Sequence, residues 1–263
     1  MTDFEDLAQV RAALVDASHD AGRLDLHLAL AAEGNISHRV GDDRMLVKAS
    51  GCSLATMTDE DLLLVDLAPL RTLMARESAS DDDVSAAYAA SLVDGGTRRP
   101  SVEAVLHAAL LDITGATCIL HTHPTAINAL LCSRAAQALV GGAPFPDAVV
   151  MLGEHQVLVP YADPGFALAC AVRDHVRRFL ADHGQEPRVV YLANHGVFVL
   201  AGSPAELVPR TLMADKVARV LQGALAAGGI VTLNPQQSAR IETRPDEHYR
   251  RRLLEHPGGH DVT

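Results

Sequence analysis

The chain has 263 residues with a formal net charge of −11 at pH 7, and hydrophobic residues make up 48% of it. This acidic charge argues against binding to nucleic acid or to an anionic membrane surface, because both depend on clustered Lys and Arg. The hydrophobic content is that of a globular protein and is too high for a disordered chain. Since only 3% of residues are aromatic, stacking on bases or sugars is not expected to be a main binding device.

The four cysteines indicate a reducing compartment, because they lie far apart, form no CxxC pair and occur in a chain long enough to fold without disulfides. The N-terminal segment is acidic where a signal peptide is basic, and no apolar run approaches the roughly 18 residues of a membrane span. We therefore expect a cytoplasmic protein that does not associate with membranes. No Pro/Ser/Gly-rich linker divides the sequence, which predicts a single domain over residues 1–263.

The first half of the chain mixes helical and strand-like segments. Apolar spacing predicts a helix over 3–21 and a shorter helix over 24–32. The polar residues 33–37 that follow are predicted to form a turn. Apolar runs then predict strands at 44–51 and 62–67.

The second half alternates helices with short strands. Helices are predicted at 101–112, 125–139, 164–184 and about 205–227, and strands at 118–120, at 157–161 and on both sides of 194–196. Because short turns join these elements, we expect a mixed α/β sandwich rather than a strict βαβ repeat. Neither GxGxxG nor GxxxxGK[ST] occurs, so the usual signatures of a nucleotide cofactor are missing.

The sequence His121-Thr122-His123-Pro124 is the sharpest local signal. Residues i and i+2 of a strand project to the same face, roughly 6.6 Å apart along it, so both imidazoles could reach one metal ion. Pro124 stops the strand at a place where a cleft can open. The alternative is a pair of surface or core histidines that bind no metal.

Two further residues extend this candidate site. His195 lies in an Asn-His-Gly turn between two apolar runs, and three imidazoles leave an open position on a zinc-like ion, as a catalytic site needs. Glu103 could complete the set from the first turn of its helix. Alternatively, its negative charge only stabilises the helix by interacting with the positive end of the helix dipole. His107 shares a helix face with Glu103, but a packed or supporting histidine is favoured there over a metal ligand.

Two glycine-containing turns, 34–37 and 49–51, look suited to hold an anion or hydroxyl groups. Glycine lets backbone N–H groups approach a ligand, and Ser or Asn adds a side-chain donor. Each turn alone is more often only a turn. The two turns indicate a binding site only in combination with the other motifs.

Five motifs follow one another along the chain: GNIS (34–37), KASG (48–51), PSVE (100–103), HTHP (121–124) and NHG (194–196). In these motifs the sequence resembles the class II aldolase/adducin family, over about residues 5–230, with 231–263 as a C-terminal tail. The resemblance implies a three-layer α/β/α sandwich around a central, largely antiparallel sheet. It also implies a homotetramer with active sites at subunit interfaces.

The resemblance assigns roles to individual residues. His121, His123 and His195 match the family's metal ligands, with Zn²⁺ expected first and Mn²⁺, Co²⁺ or Fe²⁺ as alternatives. Glu103 matches the catalytic acid/base. The residues that match substrate-binding positions are Asn35, Ser50, Gly51 and Ser101.

Two departures from the family pattern bear on the substrate. Sugar-phosphate members carry two serines before the acid, whereas Ser101 is followed here by Val102. We therefore expect a substrate that lacks a terminal phosphate or binds it weakly. The proton-donating tyrosine of the aldolases has no counterpart at 133–150, which leaves Tyr161 and Tyr249 as candidates.

The leading hypothesis is a metal-dependent lyase that cleaves or forms a C–C bond next to a carbonyl of a sugar-derived or 2-oxo substrate. The reaction would pass through a metal-stabilised enediolate, with Glu103 moving the proton. Glu103 stands where the family's 4-epimerase carries Asp, which favours the aldolase. Dehydratase, decarboxylase, 4-epimerase and iron oxygenase chemistry are alternatives within the enzyme class. An adducin-like structural or binding module is the non-enzymatic alternative, and the retained histidines speak against it.

Overall fold

The computed structural model describes residues 4–244. Its helices are α1 (Phe4–Ala21), α2 (Leu67–Met74), α3 (Asp81–Ser91), α4 (Ala104–Ile113), α5 (Thr125–Leu131), α6 (Pro146–Leu152), α7 (Phe166–His183), α8 (Pro204–Ala226) and α9 (Pro235–Glu242). Its strands are β1 (Asn35–Val40), β2 (Arg44–Lys48), β3 (Leu62–Asp66), β4 (Cys118–Thr122), β5 (Val157–Val159), β6 (Val189–Leu192) and β7 (Gly196–Ala201).

The strands form one sheet in the order β3-β2-β1-β4-β7-β6-β5. β5 and β6 run parallel, and every other neighbouring pair is antiparallel. β4 lies at the centre, where His121 pairs with Asn35 of β1 on one side and with Phe198 of β7 on the other. The largely antiparallel sheet is confirmed, and it gathers residues from three strands around His121.

Helices cover both faces of the sheet. On one face α1, α5, α6 and α8 pack around residues such as Leu120, and on the other α2, α3, α4 and α7 pack around residues such as Ile119. Successive residues of β4 thus enter opposite cores, as the alternation of side chains along a strand requires. Burial of a side chain such as Ile119 contributes about 1.5–3 kcal/mol. The three layers confirm the predicted α/β/α sandwich.

The predicted helix at 24–32 is wrong. Only Leu24–Leu26 forms a single 3-10 turn, and His27 and Ala31 have φ values of 54° and 53°, which no right-handed helix accommodates. The segment instead serves a tertiary contact, since the carbonyl oxygen of Leu28 accepts from the backbone N–H of His123 at 2.9 Å. This hydrogen bond fixes the chain just beyond the end of β4.

The predicted turn at 33–37 is also wrong over most of its length. Gly34 turns the chain with φ of +75°, but Asn35 already begins β1, which pairs with β2 on one side and β4 on the other. A strand paired on both sides needs no apolar run to be stable, because its polar side chains find partners in the core.

No helix among residues 4–244 is long and apolar enough to cross a membrane.

Candidate metal centre

His121 is fully buried near the end of β4. Its ring stacks on Phe198, the cross-strand neighbour on β7, with ring centroids 4.2 Å apart. Its Nδ1 donates to the carbonyl oxygen of Val197 at 3.0 Å. A carbonyl oxygen can only accept, so Nδ1 carries the proton and Nε2 keeps its lone pair, as in metal-bound histidines.

Three imidazoles meet at this point: His121, His123 and His195. Nε2 of His123 lies 2.9 Å from Nε2 of His121, and one ligand atom from each histidine lies within 4.8 Å of the other two. Burial lowers the pKa of all three rings, that of His195 to about 4. The rings are therefore neutral at pH 7 and present lone pairs, the form that binds a divalent ion.

The carboxylate of Glu103 faces the same space. Glu103 caps the start of α4 rather than lying in its first turn as predicted. Oε2 accepts from Nδ2 of Asn35 at 2.8 Å and lies 3.2 Å from Nε2 of His121. Oε1 lies 3.3 Å from Nε2 of His195 and is buried without a hydrogen-bond donor among residues 4–244. Three imidazole nitrogens beside a carboxylate oxygen that lacks a donor are a donor set that fits a divalent ion.

The Asn-His-Gly turn places His195 through an unusual backbone. Asn194 adopts a φ of 56°, a left-handed conformation that Asn tolerates better than most residues. Asn128 of α5 holds the turn by donating to the carbonyl oxygen of His195 at 3.0 Å. A Cβ atom on Gly196 would lie only 2.5 Å from Cδ2 of His123. Glycine is therefore required for the imidazoles to approach one another.

Two chain segments pair beside Glu103 and carry the predicted substrate-binding serines. The backbone N–H of Ser50 donates to the carbonyl oxygen of Arg99, and that of Ser101 donates to the carbonyl oxygen of Lys48, both at 2.9 Å. Oγ of Ser101 accepts from the backbone N–H of Glu103 at 3.4 Å. Both serine N–H groups are thus committed, and the serines offer a ligand only their hydroxyl groups.

The other two predicted substrate-binding residues differ in exposure. Asn35 is 3% exposed, and its side chain contacts both Glu103 and His107. Gly51 lies on the exposed loop after β2 with φ of +83° and open space where a Cβ would be. The structure therefore brings Asn35 and Ser101 against Glu103 and leaves Gly51 at the surface.

Comparison with known proteins identifies the family. The family model described as Class II Aldolase and Adducin N-terminal domain matches residues 12–222, which is most of the chain. The chain belongs to the class II aldolase and adducin family. Its resemblance in sequence motifs and its three-layer fold agree with this membership.

Relatives within the family carry several activities in their names. A methylthioribulose-1-phosphate dehydratase from Geobacillus kaustophilus is 29% identical over 201 residues, 74% of this chain and 80% of the relative. A 3-oxo-tetronate 4-phosphate decarboxylase from Haemophilus influenzae is 28% identical over 195 residues, 72% of this chain and 78% of the relative. The match to YuxG of Bacillus subtilis, named as an uncharacterized oxidoreductase, is 29% identical over 58% of this chain but spans only 20% of that protein.

Solved structures show the same fold. An L-fuculose 1-phosphate aldolase superposes with a TM-score of 0.67 at 18% sequence identity, covering 89% of this chain and 95% of that chain. This chain therefore shares the fold of that aldolase, while its named relatives differ from one another in reaction.

Two residues near the centre of this class II aldolase family member were not singled out from the sequence. Lys48 is 2% exposed, and burial lowers its pKa although Cys52, Asp61 and Glu103 counteract this effect. Tyr88 holds the segment before α4, because its hydroxyl donates to the carbonyl oxygen of Val102 at 2.8 Å. The one available signal was Lys48 itself, a charged residue that ends an apolar strand.

In the part of the chain that the structure describes, the tyrosine expected from the aldolases is not found beside the histidines. Tyr161 is 59% exposed and its hydroxyl donates to Asp163 at 3.0 Å, and Tyr249 lies outside the described residues. Val102, by contrast, is 62% exposed although it sits between the buried Ser101 and Glu103. An apolar side chain therefore faces solvent immediately beside the centre.

Removing the charge of Glu103 is expected to stabilise the metal-free protein at high pH. Burial raises the pKa of Glu103 to about 7 from 4.5, so the folded protein retains a proton that the unfolded chain loses between these pH values, and stability falls as pH rises through this window. In EDTA, we expect Glu103→Gln to exceed the wild type in unfolding free energy by on the order of 2–3 kcal/mol at pH 8 and to match it below about pH 4.5. Urea unfolding at both pH values measures this difference.

The exposed Glu77 supplies the control for this experiment. Glu77→Gln should leave the unfolding free energy unchanged at both pH values. A Glu103→Gln difference that is the same at pH 4.5 and pH 8 would show that the carboxyl group of Glu103 does not titrate as its burial implies.

Proposed function

We propose that this chain is a metal-dependent lyase that cleaves or forms a C–C bond next to a carbonyl group. The observation that carries the proposal is the convergence of the Glu103 carboxylate on the neutral imidazoles of His121, His123 and His195. Three nitrogen ligands leave a position at which a substrate oxygen can bind, as in catalytic rather than structural sites. An adducin-like binding module has no physical need for such a cluster, and the relatives carry enzyme names.

In this proposal the three histidines hold one divalent ion, with Zn²⁺ expected first. When bound, the ion withdraws electron density from the carbonyl and hydroxyl oxygens of the substrate and stabilises negative charge beside the bond that breaks. Glu103 takes a proton from the substrate and returns it, and we assign this proton to Oε1, which has no donor. In the metal-free protein burial raises the pKa of Glu103 to about 7, and a bound cation would lower it.

Decarboxylation is the second candidate reaction. Aldol cleavage requires a proton to leave a hydroxyl group and another to reach the carbanion, whereas loss of carbon dioxide requires only the second transfer. Among residues 4–244 no tyrosine hydroxyl contacts the three histidines. Glu33, whose Oε1 lies 3.7 Å from Nδ1 of His123, is exposed, so Glu103 is the buried acid/base group described beside them. The decarboxylase among the relatives supports this candidate, and the dehydratase makes loss of water a further outcome to be measured.

We propose that residues 1–263 form a single domain, because no linker divides the sequence, and that the protein is cytoplasmic, as its cysteines and acidic N-terminal segment indicate. We also propose that it assembles as a homotetramer, as the family resemblance implies. The substrate is a small sugar-derived or 2-oxo compound, bound by Asn35, Ser50, Gly51 and Ser101. The net charge of −11 supports the exclusion of nucleic acid and anionic membranes as partners.

A substrate panel tests the proposed reaction. Short ketoses, their phosphate esters and hydroxylated 2-oxo acids should be incubated with chelator-treated protein and with protein reloaded with Zn²⁺, Mn²⁺ or Co²⁺. We expect metal-dependent release of an aldehyde or of carbon dioxide. Metal-dependent loss of water alone would replace the lyase proposal by a dehydratase, and absence of turnover with every metal would favour a binding module.

The preferred substrate is expected to lack a terminal phosphate or to bind it weakly. Val102 offers no hydroxyl where sugar-phosphate members offer one, and the backbone N–H groups of Ser50 and Ser101 are committed within the protein. A missing donor to an anion costs about 1.5–3 kcal/mol, or one to two decades in affinity. We therefore expect Val102→Ser to raise kcat/KM for phosphorylated substrates by about tenfold or more. A phosphorylated substrate that is already at least tenfold better, and is unaffected by this substitution, would contradict the prediction.

A further inference from the structure

A line of buried polar side chains leads from the sheet to Glu103. Oγ of Ser37 lies 2.7 Å from Nδ1 of His107, Nε2 of His107 contacts Oδ1 of Asn35, and Nδ2 of Asn35 donates to Oε2 of Glu103 at 2.8 Å. Ser37 and His107 are fully buried, and Asn35 and Glu103 are 3% and 5% exposed. Ser37, His107 and Asn35 are not members of the histidine cluster, and Glu103 connects them to it.

The chemistry of the four groups fixes the direction of every hydrogen bond. The carboxylate of Glu103 accepts, so Asn35 must present its Nδ2 to it. Oδ1 of Asn35 then faces His107 and needs a donor, which only a protonated Nε2 can supply. Nδ1 of His107 must in turn accept, and the hydroxyl of Ser37 donates to it. Burial keeps His107 neutral by lowering its pKa to about 3, so one ring nitrogen donates and the other accepts.

Secondary structure explains why these groups can act together. Asn35 and Ser37 lie two residues apart on β1 and project to the same face, and Glu103 and His107 lie one turn apart at the start of α4. Without His107, the amide of Asn35 has nothing to hold it against rotation. A rotated amide would turn its oxygen toward the carboxylate, and the two acceptors would repel each other.

We propose that His107, held by Ser37, is a positioning residue that orients the amide of Asn35 and thereby fixes the carboxylate of Glu103 beside the three histidines. The inference rests on the proposed metal centre. It goes beyond it by assigning a function to Ser37 and His107, two buried residues that are not members of the cluster formed by His121, His123 and His195. It also gives Asn35 a second role besides substrate binding.

A double-mutant cycle with Co²⁺ as the probe separates this role from a merely structural one. The oxygens of Glu103 lie 3.2 and 3.3 Å from Nε2 of His121 and of His195, so a displaced carboxylate weakens cation binding there. We expect His107→Leu to raise the Kd of Co²⁺, measured by chelator competition, by about tenfold. This is the smallest loss of metal affinity usually found when a residue that orients a metal-site group is replaced. In the Asn35→Ala background the same substitution should change the Kd by less than twofold.

Rescue and control variants sharpen the experiment. His107→Gln keeps one donor and one acceptor and should bind Co²⁺ within about threefold of the wild type. Leu110→Ala truncates another fully buried residue of α4 and should leave the Kd within twofold. Ser37→Ala keeps the histidine, should raise the Kd by about threefold, and serves if His107→Leu does not fold. Equal effects of His107→Leu in both backgrounds, or no effect in either, would overturn the proposal.

A crystal structure of the metal-free His107→Leu protein tests the inference independently of the metal. We expect the hydrogen bond between Asn35 and Glu103 to be lost and the carboxylate to move, with both restored in His107→Gln. An unmoved carboxylate in His107→Leu would refute the positioning role. If the wild type fails to bind Co²⁺ but the carboxylate of Glu103 moves in His107→Leu, the proposed metal centre is wrong. The orienting role of His107 is then still supported.

Discussion

Replacing Glu103 with Gln is expected to lower turnover by about 100-fold or more, the usual contribution of a positioned acid/base group. The carboxamide keeps the shape of the side chain and can still accept from Nδ2 of Asn35, so the fold should persist. What it loses is the ability to take and return a proton at Oε1. Because loss of the charge weakens cation binding, turnover is compared at a metal concentration that fills the site in both proteins. Initial rates on the best substrate of the panel, with metal content determined on the same samples, measure the effect.

The control for this experiment is again Glu77→Gln, which changes an exposed carboxylate and should retain wild-type turnover. Near-normal turnover in fully metal-loaded Glu103→Gln would move the acid/base role to another residue. A loss of turnover that accompanies loss of metal would instead show that Glu103 acts mainly in holding the ion.

Removing the imidazole of His123 is expected to abolish stable metal binding. Only two nitrogen ligands, from His121 and His195, would remain. Loss of a residue that supports a ligand lowers metal affinity by up to about 100-fold, so loss of a ligand itself should lower it by more than this. His123 is the most suitable of the three for this test, because its side chain is 22% exposed whereas that of His121 is 1% exposed. Truncation of His123 therefore disturbs the core least.

Metal content after dialysis against chelator and reloading with Zn²⁺ measures this loss, with circular dichroism as a check of the fold. His155→Ala provides a matched control, since His155 is an exposed histidine outside the cluster and its removal should leave the metal content unchanged. A His123→Ala protein that retains one ion per chain would show that this imidazole is not a ligand.

The local signals in the sequence were sufficient to predict the parts of the centre. Pro124 directly follows His123 just beyond the end of β4, and Gly196 permits the close approach of the rings, so both histidine motifs are visible as short patterns. Glu103 was recognisable as an acid at a helix start. The family resemblance then assembled these parts, because no spacing rule alone brings His195 to residues more than seventy positions earlier.

Elements that depend on distant partners were not predictable from local patterns. β1 reads as a polar turn, since Asn35 and Ser37 have no apolar character, yet its backbone is satisfied by β2 and β4 on either side. The segment 24–32 has helical composition, but the hydrogen bond of Leu28 to the chain beyond β4 outweighs that weak preference. In both cases tertiary hydrogen bonding decides the structure.

The polar chain behind Glu103 shows the same limit at the level of side chains. His107 is visible in the sequence only as a histidine one turn after Glu103, and the partners that give it a role, Ser37 and Asn35, lie about seventy residues earlier on another element. The sequence favoured a packed or supporting histidine over a ligand. Only the packing of α4 against β1 shows which residues His107 contacts.

Anomalous diffraction from crystals soaked in Co²⁺ and recorded at the cobalt absorption edge tests the metal centre most directly. We predict one strong peak per chain at about 2.0–2.2 Å from the Nε2 atoms of His121, His123 and His195, as expected for imidazole ligands, and its absence in His123→Ala crystals. A wild-type crystal with no peak between these three atoms, or with its only strong peak elsewhere, would contradict the account.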